Sequence, residues 1–468
     1  MAVPGGKVTE MKRLPTAVPG LDEILHGGLF EGGVYILEGP PGVGKTTLAN
    51  QIAYQAHAND GTKTLYVTLL AESHSRMVQH MQGQAYFKPE AVNSAVIYVS
   101  AYRELEQQGL KAVVDLVRGE LARHKASLFV VDGLVVENQE LGPDERIRQF
   151  VHGLQSVASA MTCTGLLLTS GGNRSLNAEQ TMVDGIFAFE DYVYQWRAER
   201  RIQIRKFRGS AVERGKHTFC ITDEGLRFFP RLEGLPWTPR ADAHADERPV
   251  SSGMAALDDA CLHGGFVRGS STVVVGDSGA GKTLFALAFA AQASLQQRCL
   301  LLTSADAPGD LVRFGEAFSL PIADGIDSGA LEIQWEPQED EGMDEIGHKL
   351  LRLVDEFGSK RLVIDGLAAL ADTVAFPERG YRFIGRLLRE LKARGVTSVF
   401  TLDPAALGSA AGRSSAEGLK AWFDNVLEIS QAVRAEEGRE LAIRKMRGVR
   451  VTRTRFQFGC GASGLTVS

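Results

Sequence analysis

The chain carries little that would staple it, anchor it or coat it with charge. Five cysteines occur in 468 residues and no CxxC is present, so neither a zinc site nor a redox motif is supported. Cys163, Cys220, Cys261, Cys299 and Cys460 read as buried, reduced thiols. The histidines show no metal-ligand spacing. No apolar run reaches 18 residues, which excludes a membrane-spanning helix. The opening "MAVPGGKVTEMKR" lacks the apolar centre of a secretory signal, so a cytoplasmic protein is expected. Positive charge is not in excess. The net charge is −6, so the molecule as a whole is not built to coat nucleic acid or anionic lipid. Hydrophobic content of 44% and charged content of 23% fit a globular protein, and the length suits two domains of roughly 230 residues.

What is present is present twice. "IRKFRG" at 204–209 returns as "IRKMRG" at 443–448. "GPPGVGKTT" (39–47) pairs with "GDSGAGKTL" (276–284), and "SLFVVDGL" (127–134) with "KRLVIDGL" (360–367). Lys45 and Lys282 lie 237 positions apart, Asp132 and Asp365 233, and Lys206 and Lys445 239. Motifs in one order at nearly one offset mean a duplicated domain. The expected division is 12–230, a linker over 231–248 rich in Pro and charge, and 249–468.

Within each half, short and nearly all-apolar runs such as "GVYILEG" and "TGLLLTS" alternate with helical periods such as "KTTLANQIAYQAH". Such runs suit parallel strands covered on both faces. "RIQIRKFRG" and "HTFCITDEGLRFF" alternate apolar and polar residues, which predicts an antiparallel hairpin at the sheet edge. The fold class expected is α/β: two tandem domains, each a mostly parallel sheet flanked by helices with an added antiparallel hairpin.

Gly39, Gly44, Lys45 and Thr46 fit GxxxxGK[ST], as do Gly276, Gly281, Lys282 and Thr283. With Gly42, Val43, Thr47, Ser278, Gly279, Ala280 and Leu284 they form two candidate phosphate cradles. Glycines let backbone N–H groups turn inward, and the following helix offers its N-terminus to negative charge. The lysine reaches the β/γ-phosphates, and the threonine hydroxyl ligates Mg²⁺. Asp132 and Asp365, each ending an apolar strand, would hold the same Mg²⁺ directly or through water. ATP and Mg²⁺ are therefore the expected ligands. Hydrolysis also needs a group to orient water. The strand beside the P-loop is the natural source, offering Glu72 in the first half and only Asp306, on a shorter arm, in the second.

These residues together resemble the KaiC family of tandem RecA-like ATPases over nearly the whole chain. The likeness is carried by "GLDEILHGGL", both P-loops, "VSSG…LDDACLHGGF" and above all "RKFRGS…FCITDEGLRFF". The resemblance implies hexamers with ATP at each subunit boundary. It also implies that Lys206 and Arg208, then Lys445 and Arg447, reach across to a neighbour's phosphates. Residues two apart on a strand share a face, so each pair forms one two-pronged cationic tip. The sequence departs from the family in three places. "LLAES" keeps one displaced glutamate and "SADAP" none, where the family has two adjacent ones. Lys420 and Ala421 stand where clock members carry a phosphorylated Ser-Thr pair; Ser414 and Ser415 lie nearby. The sequence ends at "ASGLTVS", where the family continues into a regulatory tail.

Three functions stay open at this point. The first is an ATP-driven assembly read by a signalling protein partner. The second is a RecA/RadA-like DNA-dependent ATPase. It is disfavoured because the loops at 170–181 and 403–418 carry one arginine each, Arg174 and Arg413, and no aromatic to stack a base. The third is an autophosphorylating serine/threonine kinase, against which Lys420-Ala421 argue. The acidic stretch "QEDEGMDEIGHK" (338–349) is read as a solvated turn entering a helix.

Overall fold

The computed structural model describes residues 11–70, 74–134, 145–170, 182–194, 197–235, 248–261, 264–335, 341–367, 377–406, 416–431, 438–461 and 464–468. The chain divides into two compact units, residues 1–235 and 236–468.

The first unit is built on a nine-stranded sheet. Val34–Glu38 lies at its centre, with Thr164–Thr169, Leu128–Leu134, Thr64–Thr68 and Val96–Ser100 following in parallel on one side. Gly185–Tyr194 runs parallel to it on the other side. Three antiparallel strands then extend the sheet: Arg197–Phe207, Lys216–Thr222 and Gly225–Phe229. The expected edge hairpin is thus a longer antiparallel meander. The central strands are apolar because both faces are covered. Alternate residues divide between two cores. Tyr35, Leu37, Tyr66, Val130 and Leu168 face the helix Lys45–Asp60. Ile36, Val67, Phe129, Val131 and Leu167 face the helices Leu110–His124 and Glu145–Met161.

The second unit repeats the design in another nine-stranded sheet. Ser271–Val275 is central, flanked by Thr397–Leu402, then Arg361–Asp365, Cys299–Thr303 and Leu331–Trp335. Asn425–Gln431 runs parallel on its other side, followed by antiparallel Arg439–Met446, Arg455–Gly461 and Gly464–Val467.

Two expectations change here. The strand before Glu72, Thr64–Thr68, is not beside Val34–Glu38; two strands separate them. It lies instead against the Asp132 strand, with Thr68 opposite Asp132. The acidic stretch does enter a helix, Met343–Phe357. Asp344 within it is not solvated: it is 1% exposed and its two carboxylate oxygens accept from Arg379 Nη2 at 2.8 and 3.1 Å. Cys163, Cys261 and Cys299 are buried, while Cys220 is half-buried. Among the described residues no helix is long and apolar enough to cross a membrane.

Candidate functional site

In each unit the central strand runs straight into the glycine loop, and the loop into a helix. Gly44 and Gly281 occupy the N-cap positions of helices Lys45–Asp60 and Lys282–Ala290 with φ of 108° and 104°. A side chain at Gly44 would be strained by that φ and would also meet the Ile221 side chain at 2.7 Å. Ile221 belongs to "ITDEG", the turn joining Lys216–Thr222 to Gly225–Phe229. The same turn grips the helix, since Gln51 accepts from the Leu226 amide at 2.7 Å and donates to its carbonyl at 3.2 Å. The meander therefore braces the loop.

No side chain caps either helix, and neither has an acidic residue in its first turn. The first-turn N–H groups are left without a capping side chain; in the second unit Asp403 Oδ2 lies 3.8 Å from Lys282 Nζ. Lys45 Nζ donates to the carbonyls of Gly39 (2.7 Å) and Pro40 (2.8 Å); Lys282 Nζ does the same to Gly276 and Asp277, both at 2.8 Å. Burial pushes the Lys45 ammonium down from its ordinary pKa. Thr46 Oγ1 donates to Asp132 Oδ2 at 2.9 Å, so the two candidate metal ligands meet. Thr283 lies near enough to Asp365 to hold its pKa down against the effect of burial. Both aspartates are raised above the ordinary carboxylate range, chiefly by burial. This set of a hydroxyl and a carboxylate at an uncapped helix start fits Mg²⁺ and a polyphosphate.

Asp306 is exposed and close enough for its charge to push Asp365 further up. Glu72, Arg174 and Arg413 with most of the loops at 170–181 and 403–418, and Ser414 and Ser415 lie outside the described residues.

The cationic pairs lie elsewhere. Lys206 sits one residue before the end of Arg197–Phe207, opposite Ile186, and Arg208 just beyond that end. The Arg208 amide donates to the Asp184 carbonyl at 2.7 Å, and Asp184 Oδ2 accepts from the amide of Val34, the first residue of the central strand, at 2.9 Å. The pair is thus at the start of the strand whose end feeds the P-loop. Five residues at about 3.3 Å put about 16 Å between them. Lys206 and Arg208 are near one another: burial first, then the Arg208 charge, lowers the Lys206 pKa. The second unit agrees. The Arg447 amide donates to the Asp424 carbonyl at 3.2 Å, its guanidinium lies 3.6 Å from the Asp424 carboxylate, and Asp424 Oδ2 accepts from the Ser271 amide at 3.2 Å. Lys445 Nζ donates to Phe423 O at 2.6 Å. Asp184 and Asp424 were missed as anchors. Their signal is "VDGIF" and "FDNVL", an aspartate before the same strand in both halves.

Sequence reading also missed a cavity of about 350 Å³ beside the first P-loop helix. Its lining includes Thr46, Thr47, Asn50 and Asp132 together with Met77, Met81, Tyr86 and Ile221. The buried Tyr86 hydroxyl and Gln84 Oε1 have no partner there. Scattered Met and Tyr positions give no periodic signal.

A family profile described as "ATPase: KaiC" matches residues 14–233 and again 250–468. Among curated relatives, the chain is 24% identical to "Circadian clock oscillator protein KaiC 1" of Synechocystis sp., over 94% of this chain and 85% of that one. It is 24% identical to "Circadian clock oscillator protein KaiC" of Picosynechococcus sp. (95% and 87% covered) and of Rippkaea orientalis (98% and 89%). With the profile matched twice along two sheets of one topology, the chain belongs to the KaiC family, as a tandem of P-loop ATPase domains.

Proposed function

We propose that the protein binds and hydrolyses ATP at the boundaries of a self-assembled ring, hexameric as the resemblance implies. Its nucleotide state is then read by a protein partner. The observation that carries this reading is the place of the cationic pairs. Lys206–Arg208 and Lys445–Arg447 lie at the opposite end of the central strand from their own P-loop, well beyond the reach of one side chain. A cation there can meet phosphate only at a P-loop other than that of its own unit.

In this reading the first-turn amides and Lys45 or Lys282 hold the phosphates, and the lysines leave their resting contacts with Gly39, Pro40, Gly276 and Asp277 to do so. The cavity lined by Thr46, Thr47 and Asp132 adjoins the metal-ligand pair and leaves room for the nucleotide there. A bound Mg²⁺ would supply positive charge against the polyphosphate. Thr46 with Asp132, and Thr283 with Asp365, would hold it. Glu72 is the group assigned to orient water in the first unit, with Asp306 the shorter substitute in the second. The first unit is then the better hydrolase. Autophosphorylation has no hydroxyl at Lys420 or Ala421 to receive phosphate, so the ATPase reading is preferred.

Equilibrium dialysis with ATP and Mg²⁺ is expected to find two nucleotides per chain. Lys45→Ala and Lys282→Ala should each remove one of the two, and together both. A single nucleotide per wild-type chain, or loss of both with one substitution, would overturn the paired-site reading. Incubation with γ-labelled ATP, with and without single-stranded DNA, separates the alternatives: free phosphate unaffected by DNA supports the ATPase, labelled protein the kinase, and DNA-stimulated release the motor.

A further inference from the structure

The aspartates of the two units differ in what holds them. In the first unit, Asp132 Oδ2 accepts from Tyr66 OH at 2.8 Å as well as from Thr46. Tyr66 is fully buried. Its ring packs 5.4 Å from that of Tyr98, whose hydroxyl donates to Asn50 Oδ1 at 2.9 Å; Asn50 Nδ2 then donates to the Thr46 carbonyl at 2.9 Å. Two hydrogen-bonded chains thus start at the P-loop threonine, one through Asp132 to Tyr66 and one through Asn50 to Tyr98, and the two phenol rings pack on each other.

The second unit is an internal control. Strand register puts Leu301 at the place of Tyr66 and Ile333 at that of Tyr98. Leu287 takes the place of Asn50, five residues after the P-loop lysine. The same fold is therefore stable with apolar residues throughout, and burying hydroxyls there is not a requirement of packing. Yet Asp365 still has a hydroxyl of its own. Thr401 Oγ1 donates to Asp365 Oδ1 from the opposite flanking strand, and it accepts from the Gly366 amide at 2.8 Å. The first unit has Leu168 at that position. The hydroxyl is kept while its source changes sides.

We infer that Tyr66 in the first unit and Thr401 in the second are positioning residues, each fixing its aspartate so that the carboxylate faces the P-loop threonine with which it shares a metal. This inference rests on the nucleotide reading above. A group that only orients a metal ligand typically contributes about 10–100-fold in metal affinity or activity.

The test uses the full chain with one P-loop silenced. Binding of a fluorescent ATP analogue is titrated with Mg²⁺, and repeated in EDTA. In a Lys282→Ala chain, Tyr66→Phe is expected to raise the half-saturating Mg²⁺ about tenfold, with metal-free affinity changed less than about twofold. In a Lys45→Ala chain, Thr401→Val does the same. Each is silent in the other background. Should Tyr66→Phe not fold, Tyr98→Phe, which keeps the Asp132 bond but removes the hydrogen bond to Asn50, raises the half-saturating Mg²⁺ by a smaller factor. An unchanged Mg²⁺ requirement in the variants, or equal loss with and without metal, overturns the inference alone. A wild-type chain whose ATP binding ignores Mg²⁺ overturns both it and the nucleotide reading.

Discussion

Replacing Lys206 and Arg208 together by alanine is expected to lower ATP turnover at the first unit's sites by about 10³-fold or more, while each chain still binds ATP. The reasoning is geometric. A fixed cation beside the transferring phosphoryl group offsets negative charge that grows only as the bond breaks, so it acts on kcat more than on ground-state binding. These two residues are anchored through Asp184 at the start of Val34–Glu38, away from the P-loop at its end. They therefore contribute nothing to the cradle of their own unit. Mixing supplies the sharper comparison. Chains carrying Lys206→Ala and Arg208→Ala keep an intact P-loop, and Lys45→Ala chains keep intact cations. Combined, they should recover turnover that neither has alone. Absence of recovery, or a KM for ATP that rises in step with the fall in rate, would contradict action between chains.

The second large effect concerns Asp132. Asp132→Asn is expected to reduce turnover about 100-fold or more, since metal charge stabilisation contributes several kcal/mol to the barrier. The same change should make the nucleotide-free protein more stable. Burial raises the Asp132 pKa despite hydrogen bonds from Tyr66 and Thr46 and the nearby Lys45. The native state therefore keeps a proton that the unfolded chain has already lost as pH climbs from about 4. Stability contributed by the protonated form is lost as pH rises through the native value, and above it the whole cost of a buried charge is present. An amide carries no such cost and still accepts from one hydroxyl. The melting temperature of Asp132→Asn should exceed that of the parent at neutral pH, and the difference should shrink on acidification. A variant less stable than the parent at pH 7 would show that the Thr46 and Tyr66 bonds outweigh burial.

Local chemistry made much of this legible. Glycine spacing, the Lys-Thr pair and apolar strands ending in Asp132 and Asp365 depend on contacts within a few residues, and the duplication tested each motif against its copy. Sheet order was not legible in the same way. Parallel neighbours are chosen by crossover connections, so nothing within "TLYVTLL" reveals that the Asp132 strand and Thr164–Thr169 come between it and the P-loop strand. Tertiary pairings were hidden for a related reason. Asp344 looks like any other carboxylate in an acidic run until Arg379, 35 positions later, folds over it. Tyr66 reads as one more strand aromatic; only the register that brings it beside Asp132 gives its hydroxyl a purpose.

The most direct test of shared sites is the molar mass in solution, measured by light scattering with and without ATP and Mg²⁺, alongside turnover on the same sample. The prediction is a closed multimer near six chains in the presence of nucleotide, with activity tracking the assembled fraction as the protein is diluted. A species of about one chain's mass that hydrolyses ATP at an undiminished rate per chain would contradict it.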